Sequence, residues 1–222
     1  MWGFYFDQLM NSMPMFYKGM GMTVAVSALS LVGGTVIGTI AGILRSNRGT
    51  FLSRILSLYV DFMRGTPFLV QLFIIFFILP EFGLQMEAFT AAVVSLTIYA
   101  GSYICEIVSA AIQAVPPGQE EACRSLGHTR SQAMRLVILP QALRMALPAL
   151  VGQYVLLIKD SSIVSVIGLT DITRAGWLTV QRVPEGIMVF GLVGLLYFAV
   201  CYPLIQLSNI LEKKFSTGDM KL

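Results

Sequence analysis

Two stretches of this chain, Gly19 to Leu44 and Ile187 to Leu211, contain no charged residue at all. Crossing a bilayer as a helix takes roughly 20 mostly apolar residues, so each stretch qualifies without help. Gly65 to Pro80 and Ala88 to Cys105 are shorter uncharged runs, extended through residues interrupted only by Asp61, Arg64 and Glu106. A fifth run starts near Leu143 and ends about Ser165, with Lys159 and Asp160 near its far end. The expected spans are 19–44, 54–80, 87–114, 141–165 and 186–212. Helix is expected because lipid leaves no backbone donor or acceptor unpaired, and these runs lack the alternation of a barrel strand. A mean hydropathy of +0.76 excludes a soluble globular domain. The expected fold class is an all-α integral membrane protein, one domain over 1–222 with about five transmembrane helices.

Residues 1–18 mix aromatics and methionines with a few polar groups. The first apolar run begins after Asp7 and Lys18 and is longer than the core of a removable signal peptide. An interfacial amphipathic segment is the expectation there, with a frayed tail as the alternative. The first span carries Gly34, Gly38 and Gly42 at four-residue spacing, hence on one face. That stripe fits either a close helix–helix approach or the ordinary glycine content of membrane helices.

Basic residues suggest an orientation. With the N-terminus outside and the C-terminus inside, Arg45, Arg48, Arg54, Arg124, Arg130, Arg135, Arg144, Lys213, Lys214 and Lys221 fall on the inner side. Lys18, Arg174 and Arg182 fall outside, with Lys159 near the boundary. The segment Ser161 to Glu185 is too polar in its second half to span, and is expected to be re-entrant or external.

The polar stretch 116–140 interrupts this oily chain. From Glu120 to Pro140 it reads EEACRSLGHTRSQAMRLVILP. Pro116-Pro117-Gly118 breaks the preceding helix, and proline suits the first turn of a new one. Glu120 and Glu121 then occupy that first turn, where the helix dipole favours negative charge. Gly127 is placed to end the short helix in a left-handed cap. Thr129 to Leu139 reads as a second amphipathic helix, stopped by Pro140. The result is either a rigid knob for a soluble partner or a solvated connection.

Charge inside a span is costly and marks a pathway or an ion pair. Asp61 and Arg64 lie three apart on one face and are expected to pair. Glu106 is expected either to bridge to a neighbouring helix or to form part of an inner gate. Lys159 and Asp160 are adjacent and cannot face the same way. One arrangement points Asp160, with Ser161 and Ser162 beside it, into a translocation path; the other makes a structural ion pair with Lys159. Gln71, Tyr99 and Tyr103 are uncharged hydrogen-bonding groups at mid-membrane depth, suited either to a passing zwitterion or to helix packing. No G-x-x-x-x-G-K-[ST] phosphate loop is present, so the chain has no recognisable ATP site of its own. Cys105, Cys123, Cys201 and the lone His128 form no metal set and are expected to be free.

The spacing of Glu121-Ala122-Cys123, Gly127, Val137 and Leu139-Pro140 resembles the EAA loop of ABC importer permeases. Further strings extend the likeness to the polar amino acid branch over roughly residues 15 to 215. They are Arg64-Gly65-Thr66-Pro67, Val115-Pro116-Pro117-Gly118-Gln119, Leu139-Pro140-Gln141-Ala142-Leu143-Arg144 and Leu157-Ile158-Lys159-Asp160-Ser161-Ser162. The resemblance implies five spans and a second permease subunit, identical or similar. It also implies two cytosolic ATPases that bind the ATP and Mg, and an extracytoplasmic amino-acid-binding protein. It implies that Glu120, Glu121, Ala122, Cys123, Leu126 and Gly127 couple to the ATPase, in a bacterial inner membrane. Cys123 departs from the family's alanine, Val137 from its isoleucine, and Tyr99 from the asparagine often found in the third span. A stand-alone secondary transporter or channel is the competing reading, and a membrane enzyme is disfavoured for want of clustered His, Asp or Cys. No nucleic-acid partner is expected.

Overall fold

The computed structural model describes residues 2–47 and 49–216, and all of its regular structure is helical. Arg48 and Lys221, two of the cations used for orientation, lie outside the described residues. In chain order the helices are α1 (Trp2–Ser46), α2 (Phe51–Gly65), α3 (Phe68–Phe73), α4 (Ala88–Ala114) and α5 (Pro117–Ser125). They are followed by α6 (Arg130–Ala133), α7 (Leu139–Asp160), α8 (Ile172–Val180) and α9 (Gly186–Ser216). Four continuous helical stretches are long and apolar enough to cross a membrane: Phe4–Ser46, Ala88–Ala114, Arg130–Ile167 and Gly186–Phe215. A fifth arises only when Phe51–Gly65 and Phe68–Phe82 are taken as one broken span, bent by 106°.

A sharp bend thus interrupts the expected span over 54–80. Thr66 and Pro67 are both extended, and Pro67 has no N–H to continue the ladder of α2. Two further limits move for related reasons. The helix does not end at residue 18; α1 runs unbroken for 45 residues. That is about 68 Å, twice the hydrocarbon thickness. Its Leu9 and Phe16 are buried against Ile172, Val183 and Val189, so one side of the aromatic and methionine-rich start is packing surface, while Phe4, Phe6, Met10 and Tyr17 stay exposed. Likewise Pro140 does not stop the helix that Thr129 begins.

Pro140 is accommodated by a wide π turn over Met134–Ile138, where the Leu139 N–H reaches back to the Met134 carbonyl. The residue four before Pro140, Leu136, lies inside that turn, so the ring meets an opened backbone. The same device recurs at Ile74–Ile78, ahead of Leu79-Pro80, where the Leu79 N–H bonds the Ile74 carbonyl. Both π turns are followed by Leu-Pro and preceded by a short helix that starts just after a sharp break.

α1 and α4 form the spine of the bundle. A Cβ on Gly34 would lie 2.8 Å from Ala100 Cβ, on Gly38 2.7 Å from the Gly101 carbonyl oxygen, and on Gly42 2.8 Å from Val108 Cβ. The glycine stripe is therefore a close-packed interface. Lipid gives apolar helices little reason to associate, so contact has to come from backbones that approach closely. Ser30 of α1 donates to the Val93 carbonyl of α4 at 3.3 Å, while Tyr59 of α2 donates to the Ile98 carbonyl and Thr35 bonds Tyr154 of α7 at 2.9 Å.

At the end opposite the 116–140 hairpin, α8 is too short to span and packs on α1 and α9. Its N-cap Asp171 is fully buried. Asp171 accepts from the Arg174 N–H at 2.8 Å and from the Tyr197 hydroxyl at 3.0 Å, while Thr23 of α1 accepts from the Ile172 N–H. Burial pushes the Asp171 carboxyl above the usual carboxylate range, against the bonds it accepts, which pull the other way.

Candidate functional site

Two groups of residues stand out from the apolar bundle. The first is the hairpin α5–α6. Pro117 opens α5 with Glu120 in its first turn, and the helix ends at Gly127 with φ +87°, a left-handed cap with the His128 N–H on the Cys123 carbonyl. Thr129 caps α6 from its side chain, and Gln132 bonds back to the Thr129 N–H, closing a capping box. Arg130 pairs with Glu120 across the hairpin at 3.5 Å. Cys123 is buried on the inner face, where a small side chain is needed. Glu121 is turned outward with Arg124 and Ser125. Leu126 at the tip is 81% exposed. A cavity of about 790 Å³ separates the hairpin from the ends of α1 and α4, with Ile43, Val115, Met134 and Ile138 among its walls.

The second group runs along one face of α4, where Tyr99, Tyr103 and Glu106 recur at spacings of four and three. The Tyr99 ring lies between Phe68 and Tyr103, each at 4.9 Å between centroids, and its hydroxyl donates to that of Tyr103 at 3.3 Å. The Arg64 guanidinium lies over the Tyr103 ring at 5.6 Å. Asp160, the last residue of α7, forms no ion pair among the described residues. Tyr99 and Tyr103 are thus brought together, with Phe68 and Arg64 joining them.

The other expected residues go elsewhere. Gln71 is buried and its amide nitrogen donates to the Met63 carbonyl, the Thr66 carbonyl and the Thr66 hydroxyl, leaving no donor for a solute. Ser161 donates to the Ile158 carbonyl at 2.7 Å and is buried. The Asp61–Arg64 pair is not formed. Arg64 bonds Glu106 at 3.3 Å, and Asp61 is exposed without an ion partner among the described residues. Three residues apart on a helix allows contact but does not compel it when a better-buried carboxylate lies across the interface. Lys159 is exposed and likewise makes no ion pair among the described residues.

Glu106 does bridge to neighbouring helices. It accepts from Arg45 of α1 at 2.5 Å as well as from Arg64 of α2, tying three helices at one point. Arg45 also donates to Ser57 at 3.0 Å, and a polar cavity of about 200 Å³ opens beside them. Sequence reasoning missed Arg45 in this role. The signal was there: an acid inside a span needs a counter-charge, and Arg45 ends the helix whose glycine stripe packs on that acid's own helix. No cluster of His, Cys, Asp and Glu among the described residues is arranged to hold a metal.

The chain matches the family described as binding-protein-dependent transport system inner membrane component over residues 34–217. It is 38% identical over 206 residues to the probable amino-acid ABC transporter permease protein YckA of Bacillus subtilis, covering 93% of this chain and 91% of that one. It is 36% identical over 205 residues to the glutamine transport system permease protein GlnP of Escherichia coli, covering 91% and 94%. The fold superposes on the crystal structure of an amino acid ABC transporter with histidines at a TM-score of 0.85 and 36% identity, over 93% of this chain and 96% of that one. A broken-span helical bundle with a doubly capped hairpin, matched in sequence over nearly its whole length, places this chain in the family of binding-protein-dependent transport system inner membrane components, the membrane-embedded permeases of ABC transporters.

Proposed function

We propose that this subunit forms the translocation path of an ATP-driven importer for a polar amino acid, handed over by an extracytoplasmic binding protein. The observation that carries the reading is the 116–140 hairpin. Capped at both ends and braced by Glu120–Arg130, it is a stiff polar knob with an exposed leucine at its tip, suited to insert into a soluble partner. That partner is an ABC ATPase, two copies for each pair of permease subunits, with ATP and Mg bound there. Glu120, Glu121, the exposed Ala122, Leu126 and Gly127 form the coupling surface, and the buried Cys123 seats it on the bundle. The bias of basic residues supports an external N-terminus, an internal C-terminus and a cytoplasmic hairpin. A second permease subunit, identical or similar, completes the path, and lipid covers the remaining apolar faces. The whole of 1–222 acts as one transmembrane domain.

The names of the relatives support an amino acid as the solute. Asp160, which makes no ion pair among the described residues, leans towards a cation, either the α-ammonium or a basic side chain. Tyr99, Tyr103 and Asp160 are the groups offered to the solute, since Gln71 and Ser161 are engaged elsewhere. Purification from native membranes in mild detergent tests the reading, followed by uptake in proteoliposomes. A stoichiometric P-loop ATPase and ATP-dependent uptake stimulated by a binding protein are expected. A chain that purifies alone and still moves solute would instead be a stand-alone transporter.

A further inference from the structure

The broken span contains a substitution of one hydrogen-bond donor for another. In a continuous helix the Met63 carbonyl would accept from the N–H four residues on. That residue is Pro67, which has none. The donor is supplied instead by the side chain of Gln71, whose Nε2 lies 2.9 Å from the Met63 carbonyl oxygen. The same nitrogen reaches the Thr66 carbonyl at 3.2 Å and the Thr66 hydroxyl at 2.9 Å. The Thr66 hydroxyl in turn donates to the Phe62 carbonyl at 2.8 Å. One carboxamide thus satisfies acceptors that the break leaves open, from a residue on the far limb of a 106° bend. Gln71 is 6% exposed, so water does not readily replace it.

The two limbs joined by this amide carry the walls of the path. Arg64, in the last turn of α2, lies over Tyr103, and Phe68, the first residue of α3, stacks on Tyr99. Only three residues separate Arg64 from Phe68, so the bend angle sets where both groups stand.

We propose that Gln71 is a positioning residue for transport: its amide stands in for the missing Pro67 N–H, holds the bend, and thereby sets the width of the path at Tyr99 and Tyr103 without touching the solute. The proposal rests on the importer reading for the meaning of the path, though the bend itself can be read without transport.

The test uses the full complex with its ATPase in lipid nanodiscs and proteoliposomes. Spin labels are placed at Leu58→Cys and Phe82→Cys, both well exposed and on opposite limbs. The buried native cysteines are replaced, and labelled chain is diluted with unlabelled chain to read intrachain distances. Gln71→Met removes the donors at similar size. Gln71→Glu removes them when ionised and restores one when protonated. Both variants are expected to broaden and lengthen the label distance, by on the order of 10 Å if the limbs straighten. KM for uptake is expected to rise roughly tenfold, the scale of one or two net hydrogen bonds, with basal ATP hydrolysis unchanged. Lowering the pH should restore the distance and the KM in Gln71→Glu and in neither respect in Gln71→Met. If Gln71→Met does not assemble, the reversible pH comparison within Gln71→Glu decides. A native distance in a donor-free variant overturns the claim about the bend, and an altered distance with an unchanged KM overturns its link to the path. Failure of the unsubstituted complex to take up amino acid would sink the importer reading, while the distances still judge the bend.

Discussion

Glu106 is the residue on which α1, α2 and α4 converge, because one carboxylate serves two guanidiniums from different helices. Arg45 is the better buried of the two partners and the closer. Removing the carboxylate would leave that cation in a half-buried pocket with only Ser57. Glu106→Gln is therefore expected to cost about 1–2 kcal/mol, discounted for partial exposure, and Arg64→Ala less than about 1 kcal/mol. Thermal unfolding in detergent distinguishes the two; equal losses would show that burial does not rank the partners. Asp171 makes a different prediction, through pH. Its folded carboxyl is raised by burial, so its contribution to stability is full below the unfolded value of about 3.9 and is lost as pH rises through the raised value. Asp171→Asn keeps an acceptor for the Arg174 N–H and turns an amide NH2 towards the Tyr197 hydroxyl, which can accept from it, but cannot ionise. The melting temperatures of the two proteins should converge at low pH and separate as pH rises, with the unsubstituted protein falling relative to the variant. Parallel curves would mean that burial does not raise the Asp171 carboxyl.

At the scale of elements, the α1–α4 contact depends on the absence of atoms. An alanine methyl at position 38 would meet a backbone carbonyl oxygen and Ile104 Cβ, both 2.7 Å away and neither on the far end of a flexible side chain. Gly38→Ala is expected to destabilise by about 1–3 kcal/mol. Gly194→Ala in α9 meets nothing within 4 Å and should be neutral or stabilising by up to about 1 kcal/mol, since alanine is the better helix former. Melting of the paired variants checks this, and similar effects at both sites would argue against tight α1–α4 packing. The π turns belong to this scale too. Each lets a proline remain inside a helical rod, so α6, the second arm of the hairpin, continues into α7 without a break.

For the whole molecule, the hairpin and the aromatic path lie at separate levels of one bundle, so their loss should separate in assay. Leu126→Asp is expected to reduce co-purification of the ATPase several-fold, because an exposed apolar tip seated in a partner becomes a desolvated charge. Asp160→Ala should leave that assembly intact while lowering uptake at least tenfold. Quantified pull-down alongside proteoliposome uptake reads both, and normal uptake by assembled Asp160→Ala would remove that residue from the path.

Much of this architecture was legible in the order of residues. Long uncharged runs can satisfy their backbones in lipid only as helices, and the Pro116-Pro117 start, the Gly127 turn and the Thr129 cap are local rules that act within a few residues. The glycine stripe left a close contact and ordinary glycine content both open, and named no partner. What only the tertiary structure decided was partnership and direction. Arg64 turns to Glu106 and not to Asp61, because a carboxylate from another helix, fixed by Arg45, offers the better-sheltered bond. Gln71 is spent on the backbone, because Pro67 leaves a carbonyl that no local N–H can reach. The apolar content of 54–80 does not register its bend, which follows from the missing N–H of one proline. Composition determines which segments enter the membrane, since transfer from water depends on each segment's own surface. Which side chains meet there depends on groups far apart in the chain, and only their packing in space selects among them.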